Sequence, residues 1–541
     1  MRIALAIAAV MAVSTAALAQ TAPVVKAPSG SVEGAMDGQI RVFKGIPYAA
    51  PPVGAGRWAA PKPAPAWTGV RAAKELGAAC WQPVGSTSIY ADPPPRMSED
   101  CLNLNVWSAK DAKKAPVIVW IHGGSLVTGF GGEPLYDGAS WARQGVVVVS
   151  VNYRLGVLGY LAHPALSAES PDKVSGNWGL LDQIEALRWV KNNIAAFGGD
   201  PGNVTIAGES AGGLSVMYLM ASPLARGLFH KAIAESAYMV STPALRDSPF
   251  GDTAAETVGT RLAERLKATS LADLRAMDAK TITETAPKVG YSPFGTVDGK
   301  VLTRQLVETF DRGEQAHVPL LAGFNSGEIR SLTVLAPPTP KTPADYEAAI
   351  RTNYKDLAGE YLRLYPAAGM RESILAATRD GIYGWTAERL ALKQTAAGQR
   401  AYLYLFDHGY PAADSAGLHG FHASELPYAF GNLNRLTPVW PKPPSTPSEA
   451  RLAEAMSSYW TSFAKTGAPV AKGEAAWKPY DGDAAYMAFE AAPRAGQHLN
   501  PGAYALQEAV VCRRRAAGGM PFNWNLGLAS PPMPAKATGC G

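Results

Sequence analysis

The sequence predicts an α/β fold, a mostly parallel central sheet with helices on both faces, in one large domain with long insertions. Three observations carry this. Residues 116–121, 146–151, 204–207 and 318–322 are apolar runs without polar alternation, the pattern of strands covered on both faces. Ile184, Leu187, Val190 and Ile194 recur at helical spacing between the second and third runs. The third run then breaks at Gly208-Glu209-Ser210-Ala211-Gly212 and turns helical, giving the order strand, tight turn, helix.

Residues 1–19 hold one basic residue, Arg2, and an apolar stretch ending at Ala17-Leu18-Ala19. This reads as a secretory signal peptide, too short to span a bilayer. No later stretch approaches the roughly 18 apolar residues that a spanning helix requires. No cysteine follows the cleavage site to take a lipid. The mature chain, residues 20–541, is expected in the periplasm or the medium. Its motifs are spread from about residue 40 to about residue 430, so it reads as a single domain although its length allows two or three. A hydrophobic content of 47% with 43 prolines and 54 glycines fits a packed core with long irregular loops. The net charge of +5 is small for this length, and Arg513-Arg514-Arg515 reads as a solvated surface turn, so nucleic acid is not an expected partner. Oligomeric state is left open. Cys80, Cys101, Cys512 and Cys540 fall into two sequence-local pairs in an exported chain, and disulfides Cys80–Cys101 and Cys512–Cys540 are expected. Each closes a loop of roughly 20 to 30 residues, worth about 3 kcal/mol by chain entropy, and neither has zinc-ligand spacing.

The chemistry is concentrated around Ser210. A serine hydroxyl is a poor nucleophile and must project from a tight strand-to-helix turn toward a base. Gly208 and Gly212 remove the side chains that would collide there, and the helix beginning at Ala211 aims its first N–H groups at developing negative charge. Gly-x-Ser-x-Gly alone is weak in a glycine-rich chain. The preceding helix, its glycine end at Gly198-Gly199 and the turn at Asp200-Pro201 supply the context. Residues 116–121 stop at His122-Gly123-Gly124-Ser125, where paired glycines can bring bare backbone N–H groups against a ligand. His122 itself reads as a packed structural histidine.

From Gly176 to Gly213 the chain resembles the signature of the type-B carboxylesterase and cholinesterase family of α/β-hydrolases, and Ser98-Glu99-Asp100-Cys101-Leu102-Asn103-Leu104-Asn105 resembles its second signature. The resemblance implies an α/β-hydrolase fold that cleaves carboxylic esters through an acyl-serine, with neither metal nor organic cofactor. It implies Ser210 as nucleophile and the N–H groups of Gly123, Gly124 and Ala211 as the oxyanion hole. It agrees with Cys80–Cys101 and is silent on the C-terminal pair. By position, it pairs Arg57 with Glu99 and Arg154 with Asp182 as internal ion pairs.

Gly323-Phe-Asn325-Ser-Gly-Glu328 resembles the family's Gly-x-Asn-x-x-Glu segment and implies Glu328 as the acid, although Gly327 and Ile329 replace the acidic residue and glycine usual on either side. Asp298 and Asp407 compete but read as turn residues. Of eight histidines, His163, His230, His317 and His498 lie outside any recognisable catalytic loop. His419 and His422 stand three apart, and Glu425-Leu-Pro-Tyr-Ala-Phe-Gly431, whose counterpart follows the catalytic histidine in the family, selects His422. Ser236 resembles a supporting hydroxyl and reads equally well as a structural serine. Glu209 places a negative charge beside the nucleophile.

The expected partner is a small-molecule ester of unspecified acyl and alcohol groups. Where cholinesterases carry a tryptophan for a quaternary ammonium, ungapped counting from Cys101 finds Ala91, next to Tyr90, which disfavours choline esters. Two other readings remain open: the same machinery acting on an amide, carbamate or lactone, and a noncatalytic binding module. Members of the second kind typically lose the serine or the histidine, and both are present here.

Overall fold

The apolar runs form the middle of an eleven-stranded sheet in the computed structural model, which describes residues 22–85, 87–522 and 525–540. The signal peptide expected at residues 1–19 lies outside the described residues. In chain order the strands are β1 (Ala35–Asp37), β2 (Ile40–Pro47), β3 (Asn103–Ala109), β4 (Ala115–Ile121), β5 (Val147–Val151), β6 (Gly199–Glu209), β7 (Lys231–Glu235), β8 (Leu320–Asn325), β9 (Ala401–Phe406), β10 (Ala485–Phe489) and β11 (Pro493–Gln497). They lie in the order β1-β2-β3-β5-β4-β6-β7-β8-β9-β10-β11. From β5 to β10 every pairing is parallel, and the strands outside that block pair antiparallel.

Strand parity explains why the runs are continuously apolar. In β4, Val117, Val119 and Ile121 point into one core and Ile118 and Trp120 into the other. The first core takes Ile184, Leu187 and Val190 of α1 (Trp178–Asn193) and Leu214 and Met217 of α2 (Ala211–Ala221). The second takes Leu452, Met456, Trp460 and Phe463 of α3 (Pro447–Thr466). The apolar spacing read in α1 is therefore its packing stripe. Ile194 falls just beyond, in a 3-10 turn closed by Gly198 at φ 91°. β6 begins five residues before the expected run because Gly199 pairs with Ala115 ahead of a bulge.

Both disulfides, Cys80–Cys101 and Cys512–Cys540, are formed. The two internal ion pairs are also present: Arg57 Nη2 lies 2.6 Å from Glu99 Oε2, and Arg154 Nη2 lies 2.7 Å from Asp182 Oδ1. Arg513-Arg514-Arg515 is a correction. It is no solvated turn but part of α4 (Ala503–Ala517), with Arg513 and Arg514 buried. Carboxylates remote in sequence take up the charge: Asp356 accepts from Arg513 at 2.7 Å and Asp311 from Arg515 at 2.7 Å. Among the described residues no helix is long and apolar enough to cross a membrane.

Asp182 is fully buried, and its carboxylate oxygens accept from the Nε, Nη2 and backbone N–H of Arg154. Arg154→Met should lower the unfolding free energy by about 3–5 kcal/mol, because it strands a buried carboxylate. Arg188→Met, which removes a largely exposed partner of Glu185, should cost less than about 1 kcal/mol. Urea unfolding of the two variants checks both values; similar losses would show that Asp182 does not depend on its cation.

Candidate active site

β6 ends at Glu209 and α2 begins at Ala211, so Ser210 alone makes the turn between them. Its φ of 57° and ψ of −120° are a conformation that side-chain-bearing residues rarely adopt. Neighbours hold it there. Ser210 N–H donates to Glu235 O at the end of β7 (3.0 Å), and Leu214 N–H donates to Ser210 O (2.9 Å). A Cβ at Gly208 would stand 2.5 Å from the Gly212 carbonyl carbon, and one at Gly212 would collide with Ile121 O of β4. Only glycine fits either flank.

The loop after β4 lies against this turn. A Cβ at Gly123 would come within 3.2 Å of Ser210 Cβ, and Gly124 has φ 101°. His122 is buried, with its ring stacked on Tyr153 and Nδ1 2.8 Å from Gly123 O, as a structural role requires. Burial lowers its pKa to about 4, so it stays uncharged at neutral pH.

β8 and the loop after β9 deliver the other partners. Gly327 N–H donates to Gly420 O at 2.7 Å, which ties the two loops together. Glu328, wholly buried, opens a short helix, Glu328–Ser331, and accepts the Asn325 N–H on Oε1 at 2.8 Å. Its Oε2 stands 2.5 Å from His422 Nδ1. On the opposite edge of the ring, Nε2 is 3.0 Å from Oε1 of Glu209, the residue before Ser210. The Nε2 edge thus meets the residue that precedes the serine.

His419 lies apart from this group, partly exposed between Asp407 (3.1 Å) and Asp414 (2.9 Å). Asp298 accepts the N–H groups of Lys300, Val301 and Leu302 and so caps a turn. Ser236 is buried directly after β7, and its hydroxyl has no hydrogen-bond partner among the described residues.

Four buried carboxyl groups cluster here, of which Glu209 and Glu328 contact the His422 ring. Burial pushes Glu209 well above the ordinary carboxylate range, and the neighbouring Glu328 and Glu235 push it further. Glu425, which served in the sequence only as a landmark, is raised in the same way, chiefly by burial and then by Glu209. Burial raises Glu235 to about 8, partly offset by the Trp460 Nε1–H that donates to it at 3.0 Å.

Ser210 and His422 line one cavity of about 560 Å³, within the usual range for a small-molecule site. The insertion between α2 and the histidine loop supplies Phe294, Leu332, Leu335, Ile382 and Tyr383 to its wall. Tyr383 lies on a π-helical turn, Asp380–Gly384, with its ring 5.4 Å from that of His422. Tyr90 meets the same imidazole edge-on at 5.9 Å, and Ala91 is in the wall. Nothing in the local sequence pattern marked Tyr383 or the cavity-lining Glu133.

A serine elbow at the carboxyl end of the central parallel strands, with helices on both faces of the sheet, is the arrangement of the α/β-hydrolases. Within that class the chain belongs to the carboxylesterase family, whose model it matches over residues 21–507. It is 36% identical over 492 residues to the fumonisin B1 esterase of Sphingopyxis macrogoltabida, covering 87% of each chain. It is also 36% identical over 463 residues to the para-nitrobenzyl esterase of Bacillus subtilis, covering 83% of this chain and 91% of that one. Solved structures agree: a PNB esterase superposes with a TM-score of 0.77 at 32% identity, over 90% of this chain and 99% of that one. A Geobacillus stearothermophilus carboxylesterase does so with a TM-score of 0.77 at 34% identity, over 89% and 99%. The protein is a carboxylic ester hydrolase.

The raised Glu235 has a consequence for the fold. Between the ordinary carboxylate range and about pH 8 the native state keeps a proton that the unfolded chain releases, so stability falls as pH rises through that window. Glu235→Gln keeps an acceptor for Trp460 and removes the titration. Its melting temperature should fall less between pH 6 and pH 9 than that of the wild type, by differential scanning fluorimetry; parallel curves would place the titration elsewhere.

Proposed function

We propose that Ser210, His422 and Glu328 are the nucleophile, the base and the orienting acid of this esterase, with the N–H groups of Gly123, Gly124 and Ala211 as the oxyanion hole. The observation that carries the reading is the placement of His422: Nδ1 lies 2.5 Å from the wholly buried Glu328, and the ring lines the same cavity as Ser210. With Nδ1–H donated to Glu328, the imidazole is held in the tautomer whose Nε2 lone pair can accept a proton. Ser210 Oγ attacks the ester carbonyl as Nε2 takes its proton. The tetrahedral oxyanion is met by the glycine-loop and helix N–H groups. Collapse expels the alcohol, which receives the proton from His422, and leaves an acyl-serine that water releases by the same steps. Glu209, 3.0 Å from Nε2, adds a buried carboxyl to the imidazolium's surroundings, and Ser236 packs behind the elbow.

The substrates we infer are small carboxylic esters, as the names of the esterase relatives suggest. We read residues 20–541 as one domain, exported by residues 1–19 to the periplasm or medium. The two disulfides support that compartment.

Ser210→Ala should fold normally, since alanine fits the elbow, and lose at least about 10³-fold in kcat on a chromogenic short-chain ester. Glu328→Gln should lose ~10³–10⁴-fold in kcat with little change in KM. His422→Ala should match the serine variant, and His419→Ala should stay within about tenfold of wild type. A near-normal Glu328→Gln alongside a crippled Asp407→Asn would move the acid to the loop after β9.

A further inference from the structure

One ionisable group of the catalytic cavity has no role in the chemistry above. Glu133 lines the cavity and is only 6% exposed. Its Oε1 is buried with no hydrogen-bond partner among the described residues. It precedes the 3-10 turn Pro134–Tyr136, yet its side chain caps no N–H there. An unpaired buried carboxylate is a cost to the fold, and no local structure here recovers it. Among the described residues the other carboxylate in the cavity wall is Glu209, and neither lysine nor arginine lines it.

We propose that Glu133 is a specificity-determining residue that accepts a hydrogen bond from, and neutralises, a protonated amine on the alcohol portion of the ester. This deepens the ester-hydrolase reading and rests on it. The alcohol side follows from position. Glu133 shares the cavity wall with Tyr90, whose ring meets the His422 imidazole at 5.9 Å, and with His422 itself. Tyr136, three residues after Glu133, lines the same wall. We therefore assign Glu133 to the half of the cavity in which the departing alcohol collects its proton from His422. Burial, then Asp92, raises its pKa to about 8, and an ammonium drawn against it would favour the ionised form and gain a charge-assisted hydrogen bond. An anionic alcohol group would meet two carboxyls and no cation.

The test compares 2-(dimethylamino)ethyl butanoate with its carbon isostere, 3-methylbutyl butanoate, at pH 7. Wild-type kcat/KM should favour the amine ester, and Glu133→Gln should reduce that ratio by about tenfold, mainly through KM. The change in ratio cancels the intrinsic reactivities of the two esters. An unchanged ratio would overturn the proposal. Wild-type turnover of the 3-methylbutyl ester reports on the ester-hydrolase reading by itself, so failure there is distinguishable from failure of amine recognition. A second pair carries the amine on the acyl side, 3-methylbutyl 4-(dimethylamino)butanoate against 3-methylbutyl 5-methylhexanoate. Its ratio should not respond to Glu133→Gln, and a response would refute the alcohol-side placement. Should the variant fail to fold, competitive inhibition of the wild type decides. 2-(Dimethylamino)ethanol should bind about tenfold more tightly than 3-methylbutanol, and equal inhibition overturns the proposal.

Discussion

The close approach of α2 to the end of β4 is the constraint on which the rest of the site depends. Gly212 leaves no room for a side chain against Ile121 O, and a Cβ at Gly213 would stand 2.8 Å from Glu235 O of β7. With the helix pressed into that corner, the chain can leave β6 only through a residue at positive φ, and Ser210 is that residue. The strain of an L-residue at φ 57° is of the order of 1–3 kcal/mol. It is held by the Ser210 N–H bond to β7 and by helix packing on both sides. The same corner fixes the glycine loop, because Ile121 is the last residue of β4 and Gly123 follows two residues later against Ser210.

Position in the sheet then does most of the assembly. β4, β6, β7, β8 and β9 are parallel, so their carboxyl ends fall on one edge and bring residues 123, 210, 235, 328 and 422 together from across the chain. The electrostatic outcome is less simple than a lone histidine and acid. Glu209, Glu235, Glu328 and Glu425 are all nearly or wholly buried, and their polar contacts are His422, Asn325 and Trp460 together with one another's fields. Desolvation is the largest influence on Glu209, Glu235 and Glu425 and pushes each toward the protonated form. Glu328 differs in what it touches, since it receives the Asn325 N–H on one oxygen and His422 Nδ1 on the other. Glu328 is thus the one member of the cluster that joins the backbone of β8 to the Nδ1 edge of the ring.

What was legible in the sequence was whatever chemistry fixes locally. Gly208, Ser210 and Gly212 are confined to one turn, the apolar runs reflect two covered faces, and the cysteines pair with near neighbours. Each of these is decided within about 30 residues. The choice of His422 over His419 also held a local clue, because Glu425 packs against Asn325, three residues before Glu328 in the chain. The reading of Arg513-Arg514-Arg515 as a solvated turn failed because its counter-charges, Asp311 and Asp356, lie more than 150 residues away. Tyr383 and Glu133 were invisible for a related reason: each is ordinary in its own segment and becomes notable only through a wall it shares with distant residues.

The division between legible and illegible residues follows the division between reaction and selection. The groups we assign to chemistry sit on strand ends and at the elbow, where backbone geometry leaves few residue types permissible. The groups that shape the cavity arrive on the loop at 88–91, on the turn at 133–136 and on the insertion that carries Phe294, Leu332 and Ile382. These segments pack against the sheet without entering its hydrogen-bond ladder, so their side chains are constrained mainly by volume and charge. Charge is then the sharper of the two. A cavity wall of aliphatic and aromatic groups separates esters by a few methylenes, whereas an unpaired carboxyl such as Glu133 separates them by sign. Substrate choice in this molecule therefore turns less on the size of the cavity than on which side chain is left without a partner in it.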